Sequence, residues 1–120
     1  MQIEVSNGEI VDKYTILLIK TDKITDKEKL KNIKNEANFL FVPMALIPVN
    51  VSDITDLRRI NRELWEIEDE LRECEKQERF DDYFITLARQ VYKLNDERAA
   101  IKKKINIYTN SELTEEKSYK

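Results

Sequence analysis

The sequence predicts an all-α protein, a helical bundle in which a long antiparallel hairpin of two helices carries two shorter N-terminal helices. Three observations predict it. Phe84, Leu87, Val91, Leu94, Arg98, Ile101, Ile105 and Tyr108 follow one another at spacings of three and four, the seam of a single long packed helix. Leu57, Ile60, Leu64, Ile67, Leu71 and Cys74 repeat that spacing upstream. The chain also has one glycine (Gly8) and two prolines (Pro43, Pro48), too few for a β-rich, turn-rich fold.

The first helix is expected over about 7–22. Ser6-Asn7-Gly8-Glu9 has the form of a capping box, with the Ser6 hydroxyl on the Glu9 amide and the Glu9 carboxylate reaching back. Ile10, Tyr14 and Leu17 form one stripe, which Val11 and Leu18 widen, so the inward face of this helix stays open. Thr25-Asp26-Lys27-Glu28 reads as a second capping box. It opens a helix over about 26–40, with Leu30, Ile33, Ala37 and Leu40 inward, packed antiparallel on the first.

Residues 41–51 hold both prolines, and the residue before each is pushed toward extended geometry. They predict an apolar connector, laid as a strap over an open end of the bundle or serving as a surface for a protein partner. Ser52 or Asp53 is expected to cap a third helix reaching about 78. Asp81 is expected to cap a fourth over about 82–109, with Phe80 and Ile85 as a hydrophobic staple and Asn110 as its stop. Each long helix would span roughly 38 Å. A turn near residue 80 sets Arg98 level with Asn61 and Arg62. The tail 111–120 has few apolar groups and would be ordered only by docking.

At 120 residues the length is that of one domain, 1–120. With 24 acidic and 21 basic residues the formal charge is −3, and the signs are mixed along every helix, which argues against a nucleic-acid partner. The run Lys102-Lys103-Lys104 is read as a favourable end to the last helix rather than a phosphate site. Histidine is absent, which removes His-based acid–base chemistry, His-containing triads and most zinc sites. Cys74 stands alone on an apolar stripe and reads as a core residue in a reducing compartment. The longest uncharged run, Ala37–Ser52, is too short to span a membrane and contains both prolines. No signal peptide is apparent, and a cytoplasmic location follows as the expectation.

An arginine in a core seam must find an acceptor, because an unpaired buried charge is costly. Around Arg98 the expected helices offer Glu9, Asp12, Lys13, Asn61, Glu68, Asn95 and Lys102 as candidate ligand-binding residues. Two readings compete. Either Arg98 pairs with Glu68, Asp12 or Glu9 and the asparagines complete the hydrogen bonding, or Arg98 and Lys102 receive a small anion between helices. The structural pairing is the preferred reading. No catalytic residue, metal or cofactor is assigned. Glu63-x-x-Glu66 with Glu78-x-x-Asp81 has the spacing of helical magnesium-dependent nucleotide pyrophosphatases, but Asp81 falls at a helix break. The internal arginine is similar to that of all-helical chorismate mutases, whose early arginine is replaced here by Asp12, Lys13 and Lys20.

Several blocks together resemble one family. They are Ser6-Asn7-Gly8-Glu9-Ile10-Val11-Asp12-Lys13 with Thr15-Ile16-Leu17; Asn61 with Glu63-Leu64-Trp65-Glu66-Ile67-Glu68-Asp69; Tyr92 with Asn95-Asp96, Arg98-Ala99-Ala100, Lys102 and Ile105-Asn106; and Glu115-Glu116-Lys117-Ser118-Tyr119. This set is similar to a domain-of-unknown-function family of small bacterial and phage proteins. The resemblance spans nearly the whole chain, is weakest over 37–56, implies that the tail belongs to the domain, and brings no activity. From the residues themselves the expected role is a non-catalytic helical interaction or accessory protein, a homo-oligomer with a dimer as the first guess.

Overall fold

The computed structural model describes residues 2–111, so the expectation for the tail lies almost wholly outside the described residues. Four helices follow in order: α1 (Asn7–Lys23), α2 (Lys27–Ala45), α3 (Val51–Lys76) and α4 (Asp82–Tyr108). The described residues form an all-α bundle with no strand. The α3 and α4 helices pair as the long hairpin, α1 packs against both of them and against α2, and α2 packs on α1 alone.

That layering explains which stripes become core. Val11, Leu57 and Ile105 are fully buried where α1, α3 and α4 meet, with Ile54 and Ile101 packed around them. On α3 the predicted stripe faces inward throughout, and Cys74 is buried with a free thiol. On α4 the seam is only partly enclosed. Leu87 and Ile105 are buried, most members are half-buried, and Tyr108 is exposed. A pair of helices cannot enclose its own seam. Where α1 crosses, the buried face of α4 turns to Lys102, Ile105 and Asn106, away from Tyr108.

The helix ends show both agreement and correction. Ser6 caps α1, its hydroxyl accepting from the Glu9 amide at 3.2 Å, while the Glu9 carboxylate is engaged by Lys102 across the bundle. For α2 the cap is Asp26, which accepts from the Lys29 amide, not Thr25. Neither Ser52 nor Asp53 caps α3: that position is Asn50, and Asp53 lies buried in the first turn. Asp81 caps α4 by accepting from the Phe84 amide. The staple is replaced by an edge-on contact of Phe80 with Phe84 at 5.2 Å, leaving Ile85 exposed.

The α3 and α4 helices stop by the same device. Glu78 (φ 53°) and Asn110 (φ 54°) adopt the left-handed conformation just past each helix. The Arg79 amide returns to the Cys74 carbonyl and the Ser111 amide to the Asn106 carbonyl, both at 2.8 Å. This is the Schellman motif, built without glycine.

The largest correction concerns residues 41–51. The α2 helix does not stop near 40 but runs through Pro43 to Ala45. A proline in a last helical turn forfeits a single intrahelical bond, here the one to the Phe39 carbonyl, so the helix absorbs it. The strap is thus shortened to residues 46–50. Its Ile47 and Val49 pack on the core cluster, as the covering reading expects, while Leu46 is exposed.

Candidate functional site

Asp12 is the hub of the polar cluster. It lies on the face of α1 that Gly8, Val11, Thr15 and Ile19 bury, and it is itself fully buried. Arg98 on α4 grips it with two bonds, Nε to Oδ1 at 2.9 Å and Nη2 to Oδ2 at 2.5 Å. Asn61 on α3 donates from Nδ2 to Asp12 Oδ1 and to Thr15 Oγ1, each at 2.9 Å. Thr15 in turn donates to the Asp12 carbonyl at 2.7 Å. Lys102 places Nζ 2.6 Å from Glu9 Oε2 and 3.9 Å from Asp12 Oδ2. Three helices thus converge on one carboxylate, and the register that sets Arg98 level with Asn61 is the one observed.

Of the eight sequence-predicted residues, Glu9, Asp12, Asn61, Arg98 and Lys102 come together. Three do not. Lys13, one residue past Asp12, turns to the α2 side of α1, where it lines a hollow with Ile16, Leu17, Lys20, Glu36, Phe39 and Leu40. Glu68 is exposed, two helical turns along α3 from Asn61. Asn95 is half-buried and joins none of the hydrogen bonds around Asp12.

Sequence reasoning missed the α1–α4 docking beside this cluster. Asn106 is buried, and its Oδ1 accepts from the Gly8 amide at 2.7 Å. Ser111 Oγ accepts from the Asn7 amide, and Asn7 Nδ2 donates to Thr109 Oγ1. With Ser6 taking the Glu9 and Ile10 amides, the first four amides of α1 all have acceptors, a demand every helix start makes. Gly8 permits this closeness, since a Cβ there would meet the Lys102 carbonyl oxygen at 2.5 Å. The signal was present: the chain's one glycine falls in a first helical turn, where only a close approach requires it.

The lysine run lies before the last turn of α4, with Lys103 and Lys104 exposed. Lys102 is buried against Glu9, and Lys104 sits 3.1 Å from Oδ1 of the buried Asp53. Asp53 Oδ2 has no partner among the described residues.

In the hairpin turn, the Arg79 guanidinium donates to Asp81 at 2.9 Å and lies 4.4 Å over the Tyr83 ring. That bond, aided by the Phe84 amide, holds the Asp81 carboxyl below its ordinary value. Glu70 accepts a hydrogen bond from the Tyr83 hydroxyl and raises its pKa above the ordinary value. The Glu78–Asp81 half of the pyrophosphatase-like spacing is thereby used up in a turn and a cap. Among the described residues no three cysteine, aspartate or glutamate side chains converge to hold a metal ion. No described helix is long and apolar enough to cross a membrane.

Chemically, the cluster is a charge-compensated tie between helices. Arginine and carboxylate match each other's geometry, and the asparagine and threonine fill the remaining hydrogen-bonding positions. No curated protein and no solved structure matches the chain. A family model described as a family of unknown function, DUF6165, matches residues 1–120, and the chain belongs to that family.

Proposed function

We propose that this protein is a non-catalytic helical interaction protein, its residues 1–120 forming one domain, that works by self-association or as a small accessory subunit. The observation that carries this reading is a division of labour. The chemistry-bearing side chains Glu9, Asp12, Asn61, Arg98 and Lys102 are committed to one another, while the outer side of α2 leaves Phe39, Val42 and Leu46 in the open. The buried Asp12 carboxylate already answers Arg98, which weighs against an anion site there. The free, buried Cys74 suits a reducing compartment such as the cytoplasm.

Sedimentation analysis of the full chain across micromolar concentrations, joined to affinity capture from cells, tests the proposal. Self-association or a stoichiometric protein partner is expected. A strict monomer that captures nothing would overturn it. So would a small anion that binds tightly and loses its binding in Arg98→Met.

A further inference from the structure

Lys13 takes no part in the Asp12 cluster, but it borders a cavity of its own. Lys13, Ile16, Leu17 and Lys20 share the side of α1 that looks toward α2, and Glu36, Phe39 and Leu40 face them from α2. Between the two helices lies a hollow of about 390 Å³, within the roughly 300–1,000 Å³ of small-molecule sites. We propose that this hollow binds a small amphipathic anion, an aliphatic monocarboxylate, with its head on Lys13 and its chain along the apolar floor. This goes beyond the interaction reading and does not rest on it.

The floor is hydrocarbon. Leu17 is buried, Ile16 and Leu40 are half-buried, and Phe39 forms a wall open to solvent. None of these side chains offers a hydrogen bond, so the body of the ligand has to be apolar.

The rim is charged and uncompensated. Among the described residues Lys13, Lys20 and Glu36 form no ion pair, although Lys20 is half-buried. The contrast lies on the same helix. Lys23, one turn past Lys20, meets Glu66 at 3.8 Å, and Asp22 takes both Arg58 and Arg62. Two lysines against one glutamate leave the rim one positive charge in excess. A monoanion balances that charge, and a cation would meet its like.

The pairing of α1 with α2 sets the direction of the ligand. The Tyr14 and Phe41 rings lie 6.4 Å apart, and a short connection joins the two helices, so they run antiparallel. That register brings Lys20 level with Asn35, next to Glu36. Lys13 comes level with Val42, about 10 Å away along α1. The Lys20 end therefore carries its own counter-charge, and the Lys13 end does not. The carboxylate belongs at Lys13, with the chain running toward Lys20 over Ile16, Leu17 and Leu40.

Isothermal titration of the full chain with octanoate, octanol and octylamine tests this, with NMR amide shifts to locate the ligand. Octanoate is expected to saturate one site with a sub-millimolar Kd and to shift the amides of residues 13–20 and 36–40. Lys13→Gln, at an exposed position, should weaken it about fivefold, the upper end for a solvent-exposed ion pair. Octanol should bind more weakly by a similar factor, and octylamine more weakly still. Glu36→Gln, which removes a repulsion, should tighten octanoate, and Lys31→Gln, exposed on α2 outside the hollow, should leave it unchanged. Absent or unsaturable binding overturns the proposal. So does octanol as tight as octanoate, octanoate indifferent to Lys13→Gln, or amide shifts confined to residues outside the hollow. The interaction reading is untouched by these outcomes, since sedimentation and capture test it separately.

Discussion

Arg98 and Asp12, 86 residues apart, join α4 to α1 through a two-toothed contact whose acceptor is fully buried and whose donor keeps 28% of its side chain in solvent. The asymmetry matters. An arginine at the rim can turn to water when its partner is lost, but a sealed carboxylate cannot.

Arg98→Met should therefore destabilise the protein by about 3 kcal/mol, the low end for breaking a buried pair, because Asn61 and the more distant Lys102 still address Asp12. Asp12→Leu combined with Arg98→Met should recover much of that loss, since both charges leave together. Urea denaturation of the two variants checks this. A neutral Arg98→Met would show that the contact contributes nothing.

Gly8→Ala would ordinarily favour a helix by up to about 1 kcal/mol. Here the added Cβ would press on the Lys102 backbone at 2.5 Å, so a net loss of roughly 1–3 kcal/mol is expected as α1 shifts from α4. Asn106→Ala should cost a similar ~1–3 kcal/mol by leaving the buried Gly8 amide without its acceptor. Thermal unfolding of both variants provides the measurement, and a stabilised Gly8→Ala would contradict the close approach.

Lys104 looks like a surface lysine, with 65% of its side chain exposed, yet it neutralises the sealed Asp53. Lys104→Met should destabilise by ~1–2 kcal/mol, whereas Lys93→Met, at an exposed position earlier on α4, should stay within about 0.5 kcal/mol. Chemical denaturation compares them directly.

Glu78 pays the left-handed penalty of a side chain where glycine would be at ease. Glu78→Gly should raise stability by about 1 kcal/mol, and Glu78→Val should lower it. Unchanged melting temperatures for both would count against that backbone geometry.

Asp81 supplies a pH dependence. Its carboxyl is held below the ordinary value in the folded protein, so its contribution is present above about pH 4 and is lost as pH falls through the folded value. Asp81→Asn keeps an N-cap but removes the charge. The wild type should be the more stable at pH 6, with the gap closing in acid and narrowing in high salt. Urea midpoints from pH 6 to 2 read this out.

Periodicity accounts for what could be read early. The long stripes of α3 and α4 exceed any strand in length and fix both helices, and Asp81 between them fixes the hairpin. The ends of α2 and α3 were harder to read. A helix tolerates Pro43 in its last turn, and with no glycine available the stop of α3 falls to Glu78, a residue that gives no signal of its own. The polar cluster was legible in part for the same reason. Hairpin register follows from counting, so Arg98 and Asn61 could be matched. The face of α1 does not follow from counting, so Asp12, Glu9 and Glu68 could not be ranked as partners.

The sequence by itself determined that the chain is helical, where its long helices lie, and that an arginine in the last of them needs a counter-charge. Only the tertiary structure decided that Asp12 supplies it, that Gly8 and Asn106 lock α1 to α4, and that α2 packs on one neighbour and leaves Phe39 and Leu46 outside. The reason is geometric. Local spacing sets which residues share a helix face, but the rotation and crossing of one helix against another depend on contacts between residues far apart in the chain.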